Sequence, residues 1–345
     1  MRYSPPVKAH EAYPWEHLSD EALLDIRIKD LKLTIEGSEI SELIELLYAE
    51  LTGKNLSFRP DCYLADEWFV LEGKTSIGIP FYLAHPRLKA LEEKMMLECE
   101  GGTTGECLKL LRHEAGHAVF YAYRLGKSQR IRSLFGPSPE QPPSSYRPKP
   151  YSKSFVRHLD NWYAQAEPDE DFAETFAVWL NPDSNWREYY KGWPALKKLK
   201  VVDAALSRLM GRPPKISADR SFAAARSQMK LGAYYAKKQK LYAQDYPDFY
   251  DRDLKVIFSA DGGGAGESAG EFMRRNRKLI VDKVAQWSGE KKFIVNNLFK
   301  RLMERSRQLK MRLRSSPEES MLEITAYLTS MASNYLYTGK FKPTV

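Results

Sequence analysis

Apolar and polar positions change period along this chain, and the changes mark its elements. Asp25–Ile35 alternates apolar and polar residues, which predicts a half-buried strand. Ser41–Leu51 carries leucine and isoleucine at helical spacing with Gly53 behind it, which predicts a helix. Leu56–Leu64, Glu67–Leu71 and Thr75–Leu83 are short β-rich runs that predict strands, and Arg87–Glu98 reads as a helix. A Gly-rich turn at 100–105 leads into a nearly continuous apolar run, Leu110-Leu-Arg-His-Glu-Ala-Gly-His-Ala-Val-Phe-Tyr, which predicts a buried helix. Phe135–Tyr151 is rich in Pro and Ser and has no period, so 126–160 is expected to be a long loop, either a lid or a surface insertion. Glu167-Pro-Asp-Glu-Asp opens another helix, with Pro at its first position and acids on the positive end of its dipole. An aromatic stretch with Trp186, Tyr189, Tyr190 and Trp193 precedes a helix near 194–210. Gly211-Arg-Pro-Pro then suggests a boundary, and helices are expected near 221–244, 268–286, 290–314 and 317–336.

The sum is an α+β chain. Residues 1–212 are expected to form one domain, a small N-terminal sheet feeding buried helices. Residues 213–345 are expected to form a mainly helical region. Met303, Met311, Met321 and Met331 are read as core packing, and Asp261-Gly-Gly-Gly-Ala-Gly as a linker, since it lacks the Lys-Ser/Thr of a phosphate-binding loop.

Composition adds three constraints. At 345 residues and 43% hydrophobic the chain can bury one large core or two moderate ones. No apolar run approaches the length of a membrane span, and the first residues have no apolar signal segment. Three unevenly placed cysteines, Cys62, Cys99 and Cys107, are no disulfide framework, so a cytoplasmic protein without a membrane partner is expected. Charge is divided unevenly. Residues 211–345 hold 26 Lys/Arg against 14 Asp/Glu, a net of +12, whereas the first 210 hold 27 against 31, a net of −4. Nucleic acid is disfavoured as a partner of the basic half, which has no DNA- or RNA-reading motif.

The chemistry is concentrated at His113-Glu-Ala-Gly-His117. On a helix the two histidines lie one turn apart on one face, where a single Zn²⁺ can take both. Glu114 is offset beside that metal and can take a proton from its water. Gly116 inside a helix costs about 1 kcal/mol relative to Ala, which is easier to explain if something must approach the backbone. A catalytic zinc usually needs a third protein ligand. Glu170 and Glu174 share a face of the second helix, so that one can bind the metal and the other can accept the free N–H of a ligating histidine. His158 is a possible cleft residue or third nitrogen ligand. Asp169 and Asp171 are ligands in another helical register, and Cys99 and Cys107 are more simply small buried hydrophobes.

These two segments, HEAGHAVFYAY and EDFAETFA, resemble the gluzincin zinc metallopeptidases, in particular the group of anthrax lethal factor and the Pro-Pro endopeptidases. The resemblance covers roughly residues 107–180. It implies a zincin-like catalytic domain and a peptidase acting on a peptide or protein substrate. It places His113, His117 and Glu170 on the zinc ligands, Glu114 on the general base, and Glu174 on the acidic residue one turn after the ligand. It also places Tyr163 on a tyrosine facing the substrate carbonyl. By the same likeness Thr75–Leu83 is expected to be the cleft-edge strand on which a peptide pairs. The chain departs from the group in the 53-residue interval from His117 to Glu170 and in Asp171, where the relatives have an aromatic residue.

Overall fold

A computed structural model describes residues 13–137, 148–216, 227–242, 251–259 and 266–338. The chain is mostly helical with a small parallel sheet, compatible with an α+β class. Its helices are α1 Asp20–Leu24, α2 Glu39–Gly53, α3 Pro86–Met96, α4 Thr104–Ala122, α5 Gln129–Phe135, α6 Pro168–Leu180, α7 Trp186–Tyr189, α8 Ala195–Ser207, α9 Leu231–Leu241, α10 Asp251–Ile257, α11 Ala269–Ser288, α12 Lys292–Gln308 and α13 Pro317–Thr338. Strand β1 is Cys62–Ala65, β2 is Ile77–Pro80, and the two-residue strands β3 and β4 are Phe258–Ser259 and Arg312–Leu313. Two compact units divide the chain between Ala236 and Lys237, with Met96–Glu98 counted in the second. The division falls inside α9 rather than after residue 212.

In the first unit α4 is the central helix. Thr103 caps it by accepting from the Glu106 N–H at 3.3 Å, while the Glu106 carboxylate accepts from the Thr103 N–H at 3.4 Å. Its buried side chains lie all round the helix, from Cys107 through Leu111, Ala115 and Val119 to Ala122. Helix α2 turns Ile40, Ile44, Leu47 and Leu51 inward. Its Glu50 accepts two bonds from the Arg112 guanidinium of α4, at 2.6 and 2.8 Å, with both side chains nearly buried.

Of the strands expected over Leu56–Leu64 and Glu67–Leu71, the first is reduced to β1 and the second to a single bridge at Phe69. Three further expectations are corrected in this unit. Asp25–Ile35 is not a strand. It folds into a 3-10 turn at Ile28–Leu31, and Lys32 turns left-handed at φ 51°. The apolar alternation reflects burial of Ile28, Leu31 and Leu33, while backbone pairing is limited to Met229, Ser227 and Leu231 around one bridge. Thr75–Leu83 does not leave β2 with an open edge. β1 pairs in parallel on one side, and on the other Gly78 exchanges bonds with Phe69, which folds back through the 66–76 loop. A side chain at Gly78 would meet the Ala65 Cβ at 2.9 Å, so the sheet closes only on glycine there. The loop expected over 126–160 contains α5, with Ile131 and Phe135 buried. Residues 138–147, the heart of its Pro/Ser-rich part, lie outside the described residues.

The second unit is built on α11, α12 and α13. Phe272, Ile280, Val284, Leu298, Phe299, Leu302, Ile324 and Leu328 fill its core. Met311 and Met331 are buried in it and Met303 and Met321 pack against it, as core methionines. The helix expected over 290–314 stops at Gln308, because Arg312–Leu313 pairs with Phe258–Ser259. The glycine run at 261–265 lies outside the described residues.

The Arg112–Glu50 pair generates a stability test. Arg112→Ala leaves a nearly buried carboxylate without its partner and is expected to cost about 3–5 kcal/mol. The combined Arg112→Met and Glu50→Leu exchange should recover most of that, as read from urea unfolding midpoints of the three proteins.

Candidate metal centre

Helices α4 and α6 cross at Gly116. A Cβ at this position would lie 2.8 Å from the Ala173 Cα and 3.0 Å from the Ala173 carbonyl oxygen. The two backbones are therefore in contact, which explains the glycine inside a buried helix. Ala115, Ala118, Ala173 and Ala177 are all fully buried and keep the crossing thin. This contact brings the first turn of α6 onto the histidine face of α4, across 53 residues of chain.

Three atoms converge there. His113 Nε2 lies 3.0 Å from Glu170 Oε2, His117 Nε2 lies 3.3 Å from the same oxygen, and the two nitrogens are 3.2 Å apart. Among the described residues, these three side chains form the group of His, Cys, Asp and Glu with metal-binding proximity. A tetrahedral Zn²⁺ with bonds of about 2.0–2.1 Å sets its ligand atoms about 3.3–3.4 Å apart. The observed triangle is that size, and two imidazoles with one carboxylate are a donor set that zinc accepts.

Behind the triangle, the Glu174 carboxylate lies 2.9 Å from His113 Nδ1. Accepting that N–H leaves the Nε2 lone pair pointing at the triangle. The second Glu174 oxygen accepts the Leu159 N–H at 2.9 Å, so this fully buried carboxylate ties the 158–163 segment to the histidine. Burial lowers His113 basicity, but bonds to Glu170 and Glu174 outweigh it and raise its pKa to about 10. Burial alone would raise the Glu170 carboxyl, yet the two imidazoles hold it well below the usual carboxylate range.

Glu114 is buried beside the triangle. Burial raises its pKa, with His113 and His117 pulling the other way. The Tyr163 ring stands 5.6 Å from the His113 ring, centroid to centroid. It follows Asn161 and Trp162, both left-handed at φ 58° and 53°, a conformation such residues adopt at a cost.

The other expected ligands are turned elsewhere. His158 Nε2 lies 2.9 Å from the Lys109 carbonyl oxygen, and burial pushes its pKa down. The Asp171 carboxylate points to the far side of α6 and pairs with Lys198 Nζ at 2.5 Å. Burial raises Asp171 to about 7 against the pull of that lysine. Asp169 faces the Tyr121 hydroxyl at 3.5 Å. Burial pushes the Cys107 thiol up to about 12, as befits a small hydrophobe rather than a thiolate ligand. Lys198 lies on the apolar stripe Ala195, Leu199, Val202, Leu206 of α8, where a lysine needs a buried partner, and that signal is present in the sequence.

The crossing makes a sharp prediction. Gly116→Ala forces two backbones apart and is expected to cost about 1–3 kcal/mol in stability. It should also displace Glu170 from the histidine pair, so zinc affinity measured with a competing chelator should fall. An equal zinc affinity in the folded variant would show that the crossing does not set the ligand triangle.

No protein-family model, no curated protein and no solved structure matches this chain, so the reading of its function rests on the site itself.

Proposed function

We propose that the chain is a zinc-dependent hydrolase of gluzincin type with a zincin-like first unit, and that its substrate is a peptide or protein. The observation that carries the reading is the triangle of His113, His117 and Glu170 with the buried Glu114 beside it. His113, His117 and Glu170 would hold a Zn²⁺, which would supply Lewis acidity toward a carbonyl and a water. Glu114 would serve as the general base toward the attacking water and would return the proton to the leaving amine. Glu174 keeps His113 in the tautomer whose Nε2 can ligate. The Tyr163 hydroxyl donates to the oxygen on which negative charge develops. The residues themselves support metal hydrolysis, and the resemblance supports peptide as substrate.

The three cysteines are free thiols, which suits the cytoplasm. No described helix is long and apolar enough to cross a membrane.

About one equivalent of zinc should bind, and His113→Ala or His117→Ala should abolish it, as read by metal analysis of the purified protein. Glu174→Ala should weaken zinc by about 10–100-fold without abolishing it, and Glu170→Ala should do more damage. Full zinc occupancy in both histidine variants would remove the central claim.

Turnover separates an enzyme from an inert zinc site. Glu114→Gln should keep its zinc and lose all peptide hydrolysis. Tyr163→Phe should keep zinc and fold while kcat falls by about 10²–10³ with little change in KM. A silent Tyr163→Phe would take the tyrosine out of the mechanism.

A further inference from the structure

The segment 148–157, Pro-Lys-Pro-Tyr-Ser-Lys-Ser-Phe-Val-Arg, carries three cations and no acid. It ends on Arg157, which is exposed, and among the described residues no carboxylate pairs with it. Its guanidinium is nevertheless held. It lies over the Trp193 ring at 5.3 Å and over the Tyr151 ring at 5.6 Å. Its backbone is held too. The Arg157 N–H donates to the Tyr190 hydroxyl at 2.9 Å, and that hydroxyl donates back to the Arg157 carbonyl at 3.4 Å, from a tyrosine that is itself buried. A surface arginine usually loses several rotors on binding. One already fixed between two rings loses fewer, so its charge is preorganised for an anion.

Arg157 also stands close to the metal centre along the chain. Its Cα is at most about 7 Å from that of Leu159, two residues on. The Leu159 N–H is bound by Glu174, which binds His113. On the other side of the segment, Tyr151 meets the Trp162 ring at 5.6 Å, and Trp162 precedes Tyr163. Lys153 adds a second charge over Trp193 at 5.8 Å.

We infer that Arg157, steadied by Tyr151, Trp193 and Tyr190, is a specificity residue that reads a carboxylate of the substrate. The hydrolase therefore acts on acidic stretches of polypeptide. The inference rests on the proposed hydrolase for its substrate and on the Arg157 wall for its charge. Single-stranded nucleic acid is the other polyanion to weigh. It binds by stacking bases on open aromatic faces, and here the protein's own cations already occupy Trp193 and one face of Tyr151.

The test has two arms on the full chain. In the first, the zinc-loaded protein digests a proteome-derived peptide library and mass spectrometry reads the cleavage sites. Asp and Glu should be enriched at a position on one side of the cut, and Arg157→Glu should replace that enrichment with Lys and Arg. In the second, the Glu114→Gln protein binds labelled random copolymers of Glu and Tyr or of Lys and Tyr. The acidic copolymer should bind better, and Arg157→Glu should weaken it by about tenfold or more while Arg157→Gln weakens it less. Thermal unfolding of each variant checks that the fold persists. Cleavage with no charge preference, or with a preference that Arg157→Glu leaves intact, overturns the inference and spares the hydrolase. Arg157-dependent binding of the acidic copolymer with no cleavage of any peptide sinks the hydrolase and supports the charge reading. Arg157-dependent binding of oligothymidylate, with no preference between the copolymers, overturns the inference in favour of nucleic acid.

Discussion

The contact between Gly116 and Ala173 governs the geometry of the His113, His117 and Glu170 triangle. Two helices whose backbones touch cannot slide by a fraction of an ångström without losing van der Waals contact or creating overlap. That rigidity lets two elements far apart in sequence hold three donor atoms in a triangle little more than 3 Å on a side. Larger residues at the crossing would set the helices further apart. Glu170 would then lie out of reach of His117 even though each helix formed normally.

Around that crossing the fold buries charge, and most of it is answered. Arg112 has Glu50, Asp171 has Lys198, and Glu174 has both an imidazole and a backbone N–H. Each pair also anchors an element: α2 to α4, α8 to α6, and the 158–163 segment to His113. Glu114 is buried as well, and burial raises its pKa against the pull of His113 and His117. Trp162 breaks a local rule in the same region, with left-handed backbone immediately before Tyr163. Departures from local preference gathered in one place are characteristic of functional sites.

The 148–163 segment follows a related logic. Tyr190 is buried, so its hydroxyl must find partners inside, and it finds both backbone groups of Arg157. The Arg157 side chain is left exposed. Lys198 acts in a comparable way, with its ammonium between Asp171 and the ring of Phe155, 4.0 Å from the ring centre. The 148–163 segment has little regular secondary structure and is held by side chains.

Sequence by itself determined what depends on local geometry. Two histidines four residues apart share a helix face because a helix repeats every 3.6 residues, whatever surrounds it. The acidic first turn of α6 and the apolar stripe of α2 are legible from equally local patterns. The need for a glycine at 116 was legible as an anomaly, but the Ala173 backbone it admits was not. The i,i+4 spacing set Glu170 and Glu174 on one face of α6 and Asp171 on another. Tertiary structure decided which of the two glutamates meets the imidazole Nε2 atoms and which meets His113 Nδ1 with the Leu159 amide, and it gave Asp171 to Lys198. Packing likewise turned the alternating 25–35 segment into a 3-10 turn and closed the edge of β2 with Phe69. Alternation records which side of a segment is buried and does not say whether another strand lies beside it.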